Sequence, residues 1–332
     1  MRSRASLLVL GSGLAVALAS ASLWGCGDDE SNATKPDAGG GGADATPGVD
    51  AAPTGDAAEP KDAATPTKSV SIAFRAVVGD EAFSCTSTYA GLGTAATSVK
   101  LADFRLYVHD VELIKADGSG RVPVALTEDG KWQLKNLALL DFEDKTGTCD
   151  GTTDVNSEIK GTVPEGVYKG LAFKVGVPFA LNHGNQATAP SPLSLTAMFW
   201  SWQSGYKFAK IDSLPQPATA GDPPLTRWNF HLGSTACNGD PGDGGAVTSC
   251  GRPNRPQVSF DTFDPAAQAI VIDYKAIVAG SDLTVNPAPV PGCMSQGLAV
   301  GTQCPPMFER VGVAMDTGMP VAGQTVFSVK AR

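Results

Sequence analysis

Between residues 67 and 332 the chain breaks into short runs in which apolar, β-branched and aromatic residues alternate or cluster, each bounded by Gly, Pro, Asn or Asp. Runs of strand length fall at 70–78, 102–114, Tyr168–Val175, 197–203, Trp228–Leu232, Gln257–Phe260, 269–274 and 324–329. Lys115-Ala116-Asp117-Gly118 and Glu128-Asp129-Gly130 read as hairpin turns. Helical periodicity is thin, with short turns expected at 136–142 and 273–279. The pattern predicts an all-β fold, a β-sandwich with long loops.

Before residue 67 the pattern is different. Arg2 and Arg4 precede an apolar run over residues 7–23, followed by Leu23-Trp24-Gly25-Cys26. This is export chemistry: the run is broken by Gly11 and Gly13 and is too short to span ~30 Å of hydrocarbon as an anchor. Leucine three residues before the cysteine, with glycine just before it, resembles the bacterial lipobox. The expectation is a lipoprotein signal over 1–26, with Cys26 lipidated. Gly27, not Asp, follows the cysteine and leans the address toward the outer membrane.

Residues 27–66 are nearly all Ala, Asp, Gly, Pro and Thr, with no aromatic residue. Such a segment cannot bury enough apolar area to offset its ordering entropy, so a flexible linker is expected there. Of the net charge of −9, six negative units fall between Asp28 and Lys68, where nine acids face three lysines. The domain at 67–332 is therefore only mildly acidic. It has no basic cluster, which argues against nucleic acid as a partner.

Six cysteines follow Cys26: Cys85, Cys149, Cys237, Cys250, Cys293 and Cys304. An even number in an exported chain argues for disulfides, although six cysteines allow 15 connectivities. Cys237 with Cys250 and Cys293 with Cys304 would close short loops rich in Gly and Pro, which leaves Cys85 with Cys149. No Cys-x-x-Cys occurs, so a zinc site is the weaker reading.

Chemistry-bearing residues are few. There is no Gly-rich phosphate loop, no Gly-x-Ser-x-Gly and no His-Glu-x-x-His. The chain has three histidines, His109, His183 and His231. Taken one at a time, each reads as a structural or exposed histidine. Met198-Phe199-Trp200-Ser201-Trp202 would, as a strand, put Met198, Trp200 and Trp202 on one face, most simply a core stripe. The acidic clusters Asp141, Glu143, Asp144 and Asp261, Asp264 read as solvated turns and caps, without the spacing of a calcium loop. Met294 and Met307 read as loop or core residues.

Five segments carry a resemblance. They are Asp103-Phe104-Arg105-Leu106-Tyr107-Val108-His109-Asp110-Val111, Gly176-Val177-Pro178-Phe179 with Leu181-Asn182-His183, the run Met198 to Phe208, Trp228-Asn229-Phe230-His231-Leu232-Gly233-Ser234-Thr235, and Asn254-Arg255-Pro256. Together they resemble the MbnP-type periplasmic copper-binding proteins across nearly the whole domain. The resemblance implies a copper-handling protein and no enzyme. One copper would be held by two histidines and a kynurenine, made from tryptophan by a di-haem peroxidase-like partner. Carried over, the candidate ligands are His109, His183 and His231, and the candidates for oxidation are Trp200 and Trp202. Asp110, Asn182 and Asn185 are candidate supports, although an Asp next to a His in a regular strand faces the other way. The alternative is a lipoprotein carbohydrate-binding or adhesion domain that uses the aromatic run as a stacking face. A secreted hydrolase is weaker still, because no nucleophile and base pair up in the sequence.

Overall fold

A computed structural model of the chain describes residues 65–201, 203–217, 225–239, 245–285, 292–295 and 303–332. The signal segment with Cys26, the linker up to residue 64, and Trp202 lie outside the described residues.

Two sheets carry the domain. The first runs Phe327–Ala331, Gln268–Asp273, Thr67–Val78, Glu158–Pro164, Ala125–Leu126. The second runs Gln257–Phe260, Tyr168–Val175, Thr97–Lys115, Ala209–Pro215, Trp228–Leu232, Gly292–Cys293. Phe74 and Phe327 from the first sheet meet Phe173 of the second edge to face, with ring centroids 5.6 and 5.7 Å apart. Fully burying each of these rings stabilises the sandwich by about 1.5–3 kcal/mol. The all-β expectation holds.

Thr97–Lys115 is the axis of the second sheet, and most of its side chains are buried whichever way they point. Its middle pairs with Leu137–Asp141 through Arg105 opposite Asp141 and His109 opposite Leu137. Residues 136–142 are thus chiefly strand, contrary to the helical turn expected there. All five residues Leu137–Asp141 are buried, so covering on both faces erased the alternation that marks a half-exposed strand. The helix expected near 273–279 is present at Tyr274–Val278, where the Asp273 side chain accepts from Lys275 N–H at its start.

Two other expectations change. Residues 197–203 do not form the strand expected: Thr196–Met198 is a 3-10 turn and, among the described residues, Phe199–Ser201 is extended, so Met198 turns into the core while Trp200 stays half-buried. Asp141 and Glu143 are not solvated. Both are buried, and Glu143 accepts from Gly151 N–H at 3.1 Å and Thr152 N–H at 2.8 Å. Asp144 does cap an exposed turn through Thr146.

Disulfides join Cys85 to Cys149, Cys237 to Cys250 and Cys293 to Cys304. The first and third are buried, whereas the second is half-buried and bridges the hairpin Thr235–Asn238 with Ser249–Arg252.

A candidate metal centre beside Trp200

His231 lies on Trp228–Leu232, opposite Lys210 in the adjoining strand Ala209–Pro215. Lys210 is in turn opposite Arg105 on the long strand, so the register lays three polar side chains across the sheet. Their charges are met locally. Asp212 Oδ1 lies 2.6 Å from His231 Nε2, and the other carboxylate oxygen accepts from Lys210 Nζ at 2.7 Å and Arg227 Nη1 at 3.2 Å. Asp103 takes Arg105 and Lys210 on its two oxygens. Burial alone would raise the Asp212 carboxyl, but His231 and Lys210 hold it well below the usual carboxylate range. Burial also outweighs Asp212 at His231 and keeps that imidazole below its ordinary value, hence neutral at pH 7.

A neutral imidazole that donates Nε2–H to a carboxylate presents a bare Nδ1. The Nδ1 of His231 is buried and has no hydrogen-bond partner. The indole of Trp200 stands beside it, ring centroids 6.3 Å apart, and its Nε1 is likewise buried without a partner. Two buried ring nitrogens left without partners on neighbouring side chains cost free energy unless something engages them. Trp228 Nε1 is also unpartnered, but its indole is wholly inside the core, and its odd offset from His231 places it on the other face of their strand.

Trp200 is held from several sides. Its strand pairs with Gly205–Tyr206. Lys207 Nζ donates to Ala197 O at 2.7 Å and lies 6.0 Å from the indole centroid; burial, with Lys210 nearby, pushes its ammonium down to about 8. Gly233 is required by the close approach: a Cβ there would sit 2.4 Å from Trp200 Cζ3 and 2.9 Å from Tyr206 O.

His183 follows the short helix Phe179–Asn182. Asn182 is wholly buried; its Oδ1 accepts from Tyr206 N–H at 3.0 Å, which turns Nδ2 toward His183 Nε2, also 3.0 Å away. This ties His183 to the hairpin that carries Trp200. His183 Nε2 is also 3.4 Å from Cys250 Sγ. Asn185 instead caps a local turn through Ala187 N–H.

His109 sits in a separate cluster. Asp110 has a left-handed backbone, φ 50°, and the pairing with Tyr168–Val175 shifts register there, so the alternation argument fails and Asp110 Oδ2 comes within 3.1 Å of His109 Nδ1. The approach is off the line of an N–H bond, which leaves both buried ring nitrogens without a hydrogen-bond partner. Burial holds this imidazole down to about 4 against the pull of Asp110, with Arg255 and Lys174 adding to the depression. Among the described residues the three histidines do not converge. The group of ligating atoms lying within 4.8 Å of one another is His183 with Cys237 and Cys250, whose sulfurs are joined as a disulfide. Met198 and Met307 are wholly buried core residues.

The support around His231, namely Asp212, Lys210 and Arg227, escaped sequence reasoning. Its signal was the polar beat of Lys210 and Asp212 inside an otherwise strand-like run, which becomes meaningful only once the register is known.

The strand-bearing part matches a known protein family as a unit. The MbnP family profile matches residues 67–295. The chain is similar to the solved structure of MbnP from Methylosinus trichosporium, with 34% identity, a TM-score of 0.71, and coverage of 80% of this chain and 99% of that one. No curated protein sequence matches it. Sequence profile and fold agree over the same domain, and the chain belongs to the MbnP family.

Proposed function

We propose that the protein binds one copper ion at His231, His183 and a kynurenine derived from Trp200, and serves as a binding protein and not an enzyme. The observation that carries this reading is that His231 Nδ1 and Trp200 Nε1, on rings whose centroids are 6.3 Å apart, are both buried without a hydrogen-bond partner. Oxidative cleavage of an indole C2–C3 bond places one oxygen on each carbon. Hydrolysis of the resulting N-formyl group releases formate. The former Nε1 is left as an arylamine, so the nitrogen that now lacks a partner is the one that would become the new donor. Copper supplies there a soft ion for which neutral imidazole and amine nitrogens are suitable ligands.

Each ring is held for this role by its neighbours. Asp212 keeps the proton of His231 on Nε2, and Asn182 turns an amide N–H toward His183 Nε2, which keeps that nitrogen unprotonated. His109 is left out because, among the described residues, its contacts are with Asp110 on the strand Thr97–Lys115 and none is with Trp200, His183 or His231. Two molecules of hydrogen peroxide, activated by a di-haem peroxidase-like partner, supply the two oxygens and leave as two waters, and a further water is consumed in releasing formate. The chain is exported and tethered by a lipid on Cys26, with residues 27–66 as the leash that lets the domain meet that partner.

Copper titration of protein from cells that express the partner tests the reading. His231→Ala and His183→Ala should abolish stoichiometric binding, while His109→Ala should retain it. Retention by both of the first two variants would overturn the ligand set.

A further inference from the structure

We infer that the Cys237–Cys250 disulfide is the closed form of a second metal site, a Cys2His set completed by His183 that opens on reduction to take one soft or borderline ion such as Zn²⁺ or Cu⁺. The ligating atoms of these three residues already lie within 4.8 Å of one another, and His183 Nε2 is 3.4 Å from Cys250 Sγ. In a site with metal–sulfur bonds of about 2.3 Å and metal–nitrogen bonds of about 2.0 Å, neighbouring ligand atoms stand roughly 3–4 Å apart, so the imidazole is already at working distance. What must move is the pair of sulfurs, from bonded contact to about that spacing.

The surroundings allow the movement. Cys85, Cys149, Cys293 and Cys304 are buried in the core, but Cys237 and Cys250 are half-buried, on a two-stranded hairpin outside the two main sheets. A surface cleft of about 450 Å³ lined by Phe179, His183 and Val247 opens beside the histidine. A reductant can therefore reach this bond without unfolding the sandwich. Asn182 Nδ2 donates to His183 Nε2, so the nitrogen facing the sulfur carries its lone pair and not a proton.

The step balances. An external dithiol gives two electrons to the Cys237–Cys250 bond and becomes a disulfide, while two protons pass to the freed sulfurs. Binding of the ion as a dithiolate releases those two protons. The inference does not rest on the kynurenine site, although both use His183 and so cannot be filled together.

Co²⁺ is the probe, because thiolate ligation to it gives an intense near-ultraviolet charge-transfer band. Full-length protein is reduced anaerobically under native conditions with a phosphine that is then removed, thiols are counted, and Co²⁺ is titrated. The expected result is two titratable thiols more than in the oxidised protein and one Co²⁺ bound with the thiolate band, which the oxidised protein lacks. Cys237→Ser and His183→Gln should each lower the affinity at least tenfold. Trp200→Phe, which lacks the kynurenine site, should keep the band, so failure of the copper reading leaves this result standing. Circular dichroism of the oxidised Cys237→Ser/Cys250→Ser chain reports whether the sandwich folds without the bridge. Two free thiols with no thiolate band, Co²⁺ affinity unchanged in Cys237→Ser, or the buried disulfides reducing as fast as this one would each overturn the inference.

Discussion

Asp212→Asn isolates the step on which the copper site depends. The carboxylate lies 2.6 Å from His231 Nε2, both groups are buried, and the contact selects the tautomer that leaves Nδ1 bare. An asparagine keeps the shape and an oxygen but loses the charge that holds the ring. Removing such a carboxylate behind a metal-binding histidine typically weakens metal affinity about 10–100-fold, or about 1.4–2.7 kcal/mol. Stability should fall less than for a buried charge left alone, which costs about 3–5 kcal/mol. Lys210 retains Asp103 and Arg227 retains Asp150 at 3.0 Å, so about 1–3 kcal/mol is expected. The assay is competition for copper against a chromophoric chelator on kynurenine-bearing protein, with urea unfolding of the metal-free chain as the control for folding. An affinity within twofold of wild type, in a variant whose stability has dropped as described, would refute the claim that Asp212 sets the ligand state of His231.

Further predictions concern the frame of the site. Burial, only partly relieved by Arg105, raises the Asp141 carboxyl to about 8, so the folded state holds a proton that the unfolded chain has lost. The unfolded chain therefore binds fewer protons between about pH 4 and pH 8, and stability must fall as pH rises across that window. Asp141→Asn should flatten the fall in urea midpoints between pH 5 and pH 8, and an unchanged slope would mean that the carboxyl is ionised throughout. Phe173→Ala removes the ring that meets both Phe74 and Phe327 and should cost about 3–5 kcal/mol in denaturant unfolding, where a loss below about 1 kcal/mol would contradict its place between the sheets. Gly233→Ala should displace the Trp200 indole and shift its fluorescence, because the added methyl would meet Cζ3 at 2.4 Å; an unchanged spectrum would contradict the packing.

Much of the frame could be read from local pattern. Tyr168–Val175, Trp228–Leu232 and Gln257–Phe260 carry clear turn boundaries and β-rich composition, and they are strands with those limits. Leu137–Asp141 was missed because five buried residues in a row leave no polar beat to distinguish a strand from a short helix. Met198 left the face expected for it with Trp200 for a different reason: its N–H bonds Leu195 O in a tight turn, and nothing in the apolar run announces that turn. At the site, residue types were legible and partners were not. His231 stood out by scarcity, but Asp212 reaches it through strand pairing across 19 residues of sequence. Asp110 shows the converse, since a single left-handed residue returns to His109 a carboxylate that regular alternation would have sent to the opposite face.

The proposed copper site stands or falls on the oxidation of Trp200, beside His231, to a ligand. Peptide mass mapping of protein purified from cells expressing the di-haem partner tests it directly, with fragmentation that separates Trp200 from Trp202. The expected result is a net gain of one oxygen and loss of one carbon at Trp200, and copper in the intact protein that disappears in Trp200→Phe. Modification at Trp202 alone, or copper-loaded protein with an intact Trp200, would contradict it.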